Sequence, residues 1–318
     1  MATVNSIPSV DLADFTSGDP ARKAAFVEQL GKAYEEVGFV AVRNHGIPAD
    51  LIADLYKYVQ EFFSQPSSTK SKYEIPELAG QRGYTSFGKE HAKGFDAPDL
   101  KEFFQFGQSV EDNDPIKSEY PENVQVNELP EFTPTFFKAY RAFETSGTSL
   151  LQAIAIYLGL DEHYFDNKVH NGNSILRAIH YPPITQEPKS AIRAEQHEDI
   201  NLITLLVGAS ADGLQILDKK GEWVPVTSLP DQIVVNVGDM LQRLTNNRLK
   251  STTHRVVNPP REMWNTSRYS IPFFLHPKSN MDLTCLEGCV DAQHPAEFPP
   301  ITAGEYLDER LKEIGLKK

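Results

Sequence analysis

The hydrophobic and polar positions of this chain follow two different periods. In the first half, apolar residues recur at helical spacing, which predicts helices from Asp19-Pro20 to a stop near Gly38, over residues 49–63 and over residues 134–158. From residue 174 onward, short β-rich runs alternate with turn residues, at 174–181, 202–207, 214–217, 223–226, 233–237 and 267–275. Many short strands at regular spacing predict a β-sandwich or barrel behind a helical front.

The connecting segments carry three local predictions. Asn246 and Asn247 predict a hairpin-type turn, because both residues tolerate a positive φ. Thr302 and Glu305 form a capping box that opens a terminal helix. The acidic, proline-containing stretch 111–132 has little regular pattern, and a solvated connection is favoured there over a lid.

The most informative polar pattern is a His-x-Asp step with a distant histidine. On a β-strand, side chains repeat every second residue, so His197 and Asp199 lie on one face while Glu198 lies on the other. A third ligand from His254 completes two imidazoles and one carboxylate, the facial arrangement of non-haem Fe(II) oxygenases, which leaves metal positions open. A bare His-x-Asp is usually accidental, so its weight depends on the motifs that accompany it further along the chain.

A receptor for a carboxylate comes after the distant histidine. Arg268 and Ser270 share a strand face by the same period, with Tyr269 opposite. A guanidinium fork beside a hydroxyl binds a carboxylate through several donors. In isolation these two residues indicate an ordinary exposed strand, but their order after the histidines favours a binding site.

These motifs, in this order, resemble a known family. The chain resembles the 2-oxoglutarate- and Fe(II)-dependent dioxygenases, in the branch similar to isopenicillin N synthase and the plant-type dioxygenases. The likeness extends over nearly the whole chain and rests on residues 7–12 (IPSVDL), 37–48 (VGFVAVRNHGIP), 180–183 (HYPP), 197–206 (HEDINLITLL), 237–242 (VGDMLQ), 254–259 (HRVVNP) and the Arg-x-Ser. It implies a mainly β fold with flanking helices around a double-stranded β-helix, or jelly roll.

The resemblance also implies one catalytic unit over residues 1–318. It consists of an N-terminal helical region at 1–115, a jelly-roll core at 170–280 and a C-terminal helix at 300–318. In that core, His197, Asp199 and His254 are expected to hold Fe(II).

The implied chemistry uses 2-oxoglutarate and O2 as cosubstrates. The far carboxylate of 2-oxoglutarate is expected to pair with Arg268 and Ser270, and Tyr181 is either a further donor or a packed strand tyrosine. The expected reaction is hydroxylation of an unactivated C–H bond of a small molecule, with succinate and CO2 as coproducts.

Five residues are candidates for the substrate pocket. Phe104 and Phe106 lie in a segment that resembles the family's approach to the core, and Phe274 shares the strand face of Ser270. Arg177 and His180 are three positions apart, so only one of them faces the pocket of a regular strand. An inward Arg177 would indicate an acidic substrate, whereas plain core packing is the commoner role of each aromatic residue.

Five further histidines and both cysteines are assigned structural or surface roles. His45 is expected in a turn, and four other histidines are expected on the surface or in loops, namely His163, His170, His276 and His294. Cys285 and Cys289 are too few for a disulfide framework, so we expect structural thiols.

Composition limits the classes of partner that this protein is expected to bind. A net charge of -13 argues against nucleic acid as the main partner, because phosphate contacts need a basic patch. No apolar run approaches the roughly 20 residues that span a bilayer, and the start lacks a secretory signal pattern. We therefore expect a cytoplasmic enzyme with a small-molecule substrate, no membrane partner, and a monomeric or weakly homo-oligomeric state.

Two other functions stay open at the level of sequence. One is an Fe(II) oxidase similar to isopenicillin N synthase or aminocyclopropane carboxylate oxidase, which would use the same triad without 2-oxoglutarate. The other is a jelly-roll binding or structural protein without catalysis, which the complete triad disfavours. Succinate formation separates the leading hypothesis from the oxidase.

Overall fold

A computed structural model describes residues 7–78, 80–90, 98–188, 190–208, 213–227 and 231–313. The strands are β1 Ser9–Asp11, β2 Phe39–Arg43, β3 Gly83–Thr85, β4 Glu102–Gly107, β5 Ile175–Tyr181, β6 Ala194–His197, β7 Ile203–Val207, β8 Leu214–Leu217, β9 Trp223–Pro225, β10 Gln232–Val237, β11 His254–Val256 and β12 Arg268–Leu275. The α-helices are α1 Leu12–Phe15, α2 Pro20–Glu36, α3 Ala49–Phe63, α4 Ser67–Lys70, α5 Phe132–Tyr157, α6 Asp166–Val169, α7 Asp239–Leu244 and α8 Ala303–Glu313. Among these helices, none combines the length and the apolar character needed to cross a bilayer.

The predicted helices are present, and their ends follow local chemistry. The carboxylate of Asp19 accepts hydrogen bonds from the first free N–H groups of α2, and Pro20 occupies the first helical position, where no N–H is needed. Gly38 stops the helix with a φ of 75°, a conformation that glycine adopts without strain. Helix α8 opens on the predicted capping box, because Thr302 and Glu305 exchange side-chain-to-backbone hydrogen bonds.

Two β-sheets form the core, and together they make a jelly roll. The larger sheet has the strand order β1-β2-β10-β7-β12-β5-β4-β3, and the smaller has the order β6-β11-β8-β9. Neighbouring strands pair antiparallel except β1 and β2, which are parallel. The expected mainly β fold with flanking helices is therefore confirmed.

The larger sheet has a helical side and a cavity side. On β5, Leu176 and Ala178 pack into the main hydrophobic core, to which α2, α3 and α5 also contribute. The alternate residues Ile175, Arg177 and Ile179 instead line a cavity that reaches the smaller sheet. This alternation along each strand decides which side chains reach the site.

Three expectations from the sequence need correction. The first 115 residues are not only helical, because β1, β2, β3 and β4 add strands to the larger sheet. Asn246 and Asn247 do have positive φ values of 48° and 65°, but they follow the short helix α7 and do not join a β-hairpin. Short strands at Ala194–His197 and His254–Val256 were not predicted, since so few residues show no periodicity.

The stretch 111–131 is tied to the body of the protein away from the cavity. The Tyr120 hydroxyl donates to the carbonyl of Asn171 at 2.9 Å, and the Asn123 side chain bonds both backbone groups of Gly107. None of its residues is among those that line the cavity between the sheets. A connection, rather than a lid, describes this segment.

Candidate metal centre and cavity

Three ligand atoms converge where the smaller sheet meets the larger one. His197 ends β6 and His254 begins β11, and the two residues are directly paired across these antiparallel strands. Asp199 lies two residues after His197, and its Oδ1 lies 3.9 Å from Nε2 of His197 and 3.7 Å from Nε2 of His254. All three ligand atoms lie within 4.8 Å of one another.

The second nitrogen of each imidazole is already engaged. Nδ1 of His197 lies 2.6 Å from the carbonyl oxygen of Glu195, and Nδ1 of His254 lies 3.1 Å from that of Thr252. Because a carbonyl only accepts, Nδ1 carries the proton in both rings and the lone pair of Nε2 faces the shared point. Burial and the neighbouring His254 lower the pKa of His197, which favours the neutral ring that binds metal.

The carboxylate of Asp199 is held by its outer oxygen. Oδ2 accepts hydrogen bonds from the hydroxyl of Thr204 at 2.6 Å and the amide of Asn236 at 2.8 Å, two residues paired across β7 and β10. Burial alone would raise the pKa of Asp199, but the two imidazoles and these hydrogen bonds keep it below its usual range. Two neutral imidazoles and one ionised carboxylate, each with one free donor atom, fit Fe(II).

Arg268, Ser270 and Tyr181 lie together on two neighbouring strands. Arg268 is directly opposite Tyr181 in the pairing of β12 with β5, and Ser270 is the next residue on the same face. The guanidinium of Arg268 is buried 5.0 Å from the Tyr181 ring, and all three side chains line the cavity. Arg193, which the sequence motifs did not indicate, is also buried, and its guanidinium lies 5.9 Å from the same ring.

These residues belong to one cavity of about 500 Å³ that also contains the three ligand atoms. Helix α8 contributes Leu307 and Leu311 to its wall. Every second residue of β12 faces the cavity, and the series continues past the end of the strand to His276. His276 was expected on the surface or in a loop; it does follow the end of β12, but it is buried, and burial lowers its pKa to about 4. Its even offset from Arg268 was the signal that would have found it.

Comparison with known proteins identifies the family. A model described as the 2OG-Fe(II) oxygenase superfamily matches residues 172–277, and one described as the N-terminal part of non-haem dioxygenase in morphine synthesis matches residues 7–131. Proline hydroxylase buaE of Petromyces alliaceus is 33% identical over 321 residues, covering 96% of this chain and 98% of the relative. The chain belongs to the 2-oxoglutarate- and Fe(II)-dependent oxygenases.

Two solved structures are similar over nearly the whole chain. A 2OG-Fe(II) oxygenase family protein of Caulobacter crescentus is 39% identical with a TM-score of 0.87, covering 97% of this chain and 99% of that one. A Neurospora crassa protein in complex with alpha-KG and thymine is 30% identical with a TM-score of 0.84, covering 96% of each chain. The present chain is thus an oxygenase that uses Fe(II), 2-oxoglutarate and O2, and it oxidises a C–H bond with formation of succinate and CO2.

Two of the expected pocket residues of this oxygenase lie elsewhere. Phe104 and Phe106 point to the helical side of β4, where both rings are fully buried and pack against Phe136 of helix α5. The opposite face of β4 places Gln105 in the cavity. Because both faces of this strand are buried, its apolar pattern could not distinguish them.

Of Arg177 and His180, Arg177 is the residue that lines the cavity. Arg177 and Phe274 both line the cavity, with the guanidinium 5.4 Å from the Phe274 ring. His180 faces the helices instead, where Nδ1 lies 2.7 Å from the carboxylate of Glu102 and the ring stacks on Tyr269. His180 is therefore a structural residue in the oxygenase.

Proposed function

We propose that this oxygenase hydroxylates a small molecule bound between Phe274 and the iron, and that His197, Asp199 and His254 are the iron ligands. The observation that carries the assignment is the free donor atom on each side chain. Both Nδ1 atoms and Oδ2 of Asp199 are occupied by protein groups, so Nε2, Nε2 and Oδ1 are left to face one point. When bound there, Fe(II) supplies the open positions for 2-oxoglutarate and O2.

We further propose that Arg268 and Ser270 bind the far carboxylate of 2-oxoglutarate, with Tyr181 packed beneath them. A buried guanidinium is a strong receptor for a carboxylate, because both groups are planar and can form two parallel hydrogen bonds. Arg193 adds a second positive charge next to Tyr181, and its closeness to Arg268 is one reason, after burial, why the pKa of Arg193 is lowered to about 10. The pair of guanidinium groups favours a dianionic cosubstrate at this end of the cavity.

A small-molecule substrate is supported by the size of the cavity and by relatives. About 500 Å³ lies within the range of roughly 300–1,000 Å³ that is typical of small-molecule sites. One relative is named as a proline hydroxylase, and one similar structure contains thymine. Proline and thymine are both compact molecules. The match to the dioxygenase N-terminal model supports placement in the plant-type, isopenicillin N synthase-like branch.

The test is to add Fe(II) and then 2-oxoglutarate to the apo protein without O2. The readout is the visible metal-to-ligand charge-transfer band of the complex. We expect the band in the wild type, a much higher 2-oxoglutarate requirement in Arg268→Ala, and unchanged iron binding in that variant. Arg22→Ala is the matched control, because Arg22 is exposed and pairs with Asp14 on the surface. Iron binding without a band in the wild type would favour the oxidase that uses no 2-oxoglutarate.

We also propose that the enzyme is cytoplasmic and acts as a monomer or weak homo-oligomer. Cys285 and Cys289 are free thiols, which is typical of proteins in reducing compartments. Light scattering across a concentration series tests the assembly state: a monomer mass that rises only at high concentration is expected. A stable oligomer at low concentration would contradict the proposal.

A further inference from the structure

Four charged side chains form a connected group inside the cavity, away from Arg268. The ammonium of Lys101 lies 2.7 Å from the carboxylates of both Glu90 and Asp99. Nη1 of Arg177 lies 3.2 Å from both carboxylate oxygens of Glu90, and its Nε donates to Gln105 at 2.7 Å. All five residues line the cavity, and Lys101, Glu90 and Asp99 are each less than 10% exposed.

The charges in this group balance. Burial alone would raise the pKa of Glu90, but Arg177 and Lys101 bring it down to about 2. Burial would lower the pKa of Lys101, but Glu90 and Asp99 raise it above its usual value. With two cations and two anions, the group has a net charge of zero at neutral pH. The expectation that an inward Arg177 indicates an acidic substrate is therefore not supported, because Glu90 already neutralises it.

Arg177 lies far from the cosubstrate end of the cavity, whereas Lys101 is close enough to Tyr181 for the two side chains to interact electrostatically. Arg177 and Tyr181 face the cavity from the same strand, four residues apart, which corresponds to about 13 Å along an extended strand. Arg177 lies instead between two aromatic rings, 4.2 Å from the Phe103 ring and 5.4 Å from the Phe274 ring. A substrate next to Phe274 therefore meets the balanced group and not Arg268.

The cations and the anions of this group can each form a further hydrogen bond with a ligand. An ammonium has three donors, and two described acceptors lie within bonding distance of Lys101. Within the described residues, Nε and Nη1 of Arg177 donate to protein oxygens, whereas Nη2 makes no such bond. A carboxylate oxygen accepts more than one hydrogen bond, so Glu90 can accept from a ligand as well.

We propose that Glu90, Asp99, Lys101 and Arg177 form the substrate subsite, and that the substrate has no net charge and presents a hydrogen-bond donor beside an acceptor, as in a lactam, a ureide or an amino acid. This inference rests on the proposed function and names its substrate class. An acceptor of the substrate bonds Arg177 or Lys101, and its donor bonds Glu90. A substrate with a net charge would leave one buried charge uncompensated, which is costly away from water.

The test compares isosteric pairs that differ in charge. The Fe(II)- and 2-oxoglutarate-loaded protein is titrated without O2, by calorimetry, with thymine against uracil-5-carboxylate and with L-proline against cyclopentanecarboxylate. We expect the uncharged or zwitterionic member of at least one pair to bind about tenfold more tightly, or better, than the anion. Anions that bind as tightly as their partners in both pairs, or no binding of any probe up to millimolar concentration, would overturn the proposal.

Variants of the group give a second, independent readout. Glu90→Gln leaves a net charge of +1, so the preference should shift towards the anions by about tenfold or more. The double variant Glu90→Gln with Arg177→Gln returns the net charge to zero, removes the buried imbalance that could unfold the single variant, and should lose the anion preference. An unchanged preference in Glu90→Gln, or an anion preference that persists in the double variant, contradicts the proposal.

The same samples separate this inference from the proposed function. Each is first examined for the charge-transfer band that 2-oxoglutarate produces with bound iron. A normal band with no charge preference among the probes overturns the subsite alone. A missing band in the wild type overturns the proposed function instead.

Discussion

The hydroxyl of Thr204 offers the sharpest test of how the protein prepares the metal site. It donates to Oδ2 of Asp199 at 2.6 Å, and Asn236 is the second donor to the same oxygen. Thr204→Val keeps the shape of the side chain and removes only the hydroxyl. The carboxylate keeps its bond from Asn236 but loses part of the support that orients Oδ1 towards the iron.

The size of the effect can be worked out from these contacts. A hydrogen bond to a charged group contributes about 1.5–3 kcal/mol, and groups that orient metal ligands are typically worth about 10- to 100-fold in metal affinity. Because Asn236 remains, we expect a value near the lower end, about tenfold weaker Fe(II) binding or about 1.4 kcal/mol. The lost hydrogen bond also raises the pKa of Asp199, so proton competition for the site begins at a higher pH.

The assay is anaerobic competition for Fe(II) between the protein and a chromophoric chelator, measured at neutral pH and again in mild acid. Thr284→Val is the matched control, because its hydroxyl also donates to a carboxylate at 2.6 Å, that of Asp282, at an exposed position outside the cavity lining. The control should bind iron as the wild type does. Equal iron affinity in the Thr204 and Thr284 variants would refute the reasoning.

Three further predictions concern a ligand, the core and the charged group. His254→Ala should abolish Fe(II) binding and turnover; retained iron, measured as metal content after desalting, would contradict the triad. Phe104→Ala should destabilise the fold by about 3–5 kcal/mol in urea unfolding, because its fully buried ring packs among other aromatics, while 2-oxoglutarate affinity stays unchanged. The pKa of Glu90 falls from an ordinary 4.5 to about 2 on folding, so its charge contributes stability that is fully present above pH 4.5 and is lost as the pH falls towards 2. Glu90→Gln should flatten that part of the acid-unfolding curve, and an unchanged curve would argue against the ion pairs.

Much of the candidate site can be derived from parity along strands, which is a local property. A period of two puts Arg268 with Ser270 on β12, whatever the rest of the chain does. Strand β6 ends at His197, so Asp199 lies beyond the strand, and its short separation along the chain keeps it near His197. The same rule separates Arg177 from His180, and the structure agrees on that separation. The starts of helices could also be predicted from neighbouring residues, since a capping side chain bonds N–H groups in the first turn of its own helix.

The side of β4 that faces the cavity could not be predicted in this way. All six residues of this strand are buried, so the apolar and polar positions do not distinguish the helical layer from the cavity. The aromatic residues Phe104 and Phe106 were natural candidates for a pocket, but the packing of α3 and α5 on the larger sheet placed them in the core.

The sequence by itself predicted the family, three candidate metal ligands and a candidate carboxylate receptor, because these predictions depend on short motifs and on strand period. Only the tertiary structure decided the surroundings of the substrate. Glu90, Lys101 and Arg177 come from separate segments, and their charges cancel only because folding brings them within hydrogen-bonding distance. Charge balance between distant segments depends on three-dimensional distances, and no local pattern in the chain encodes them.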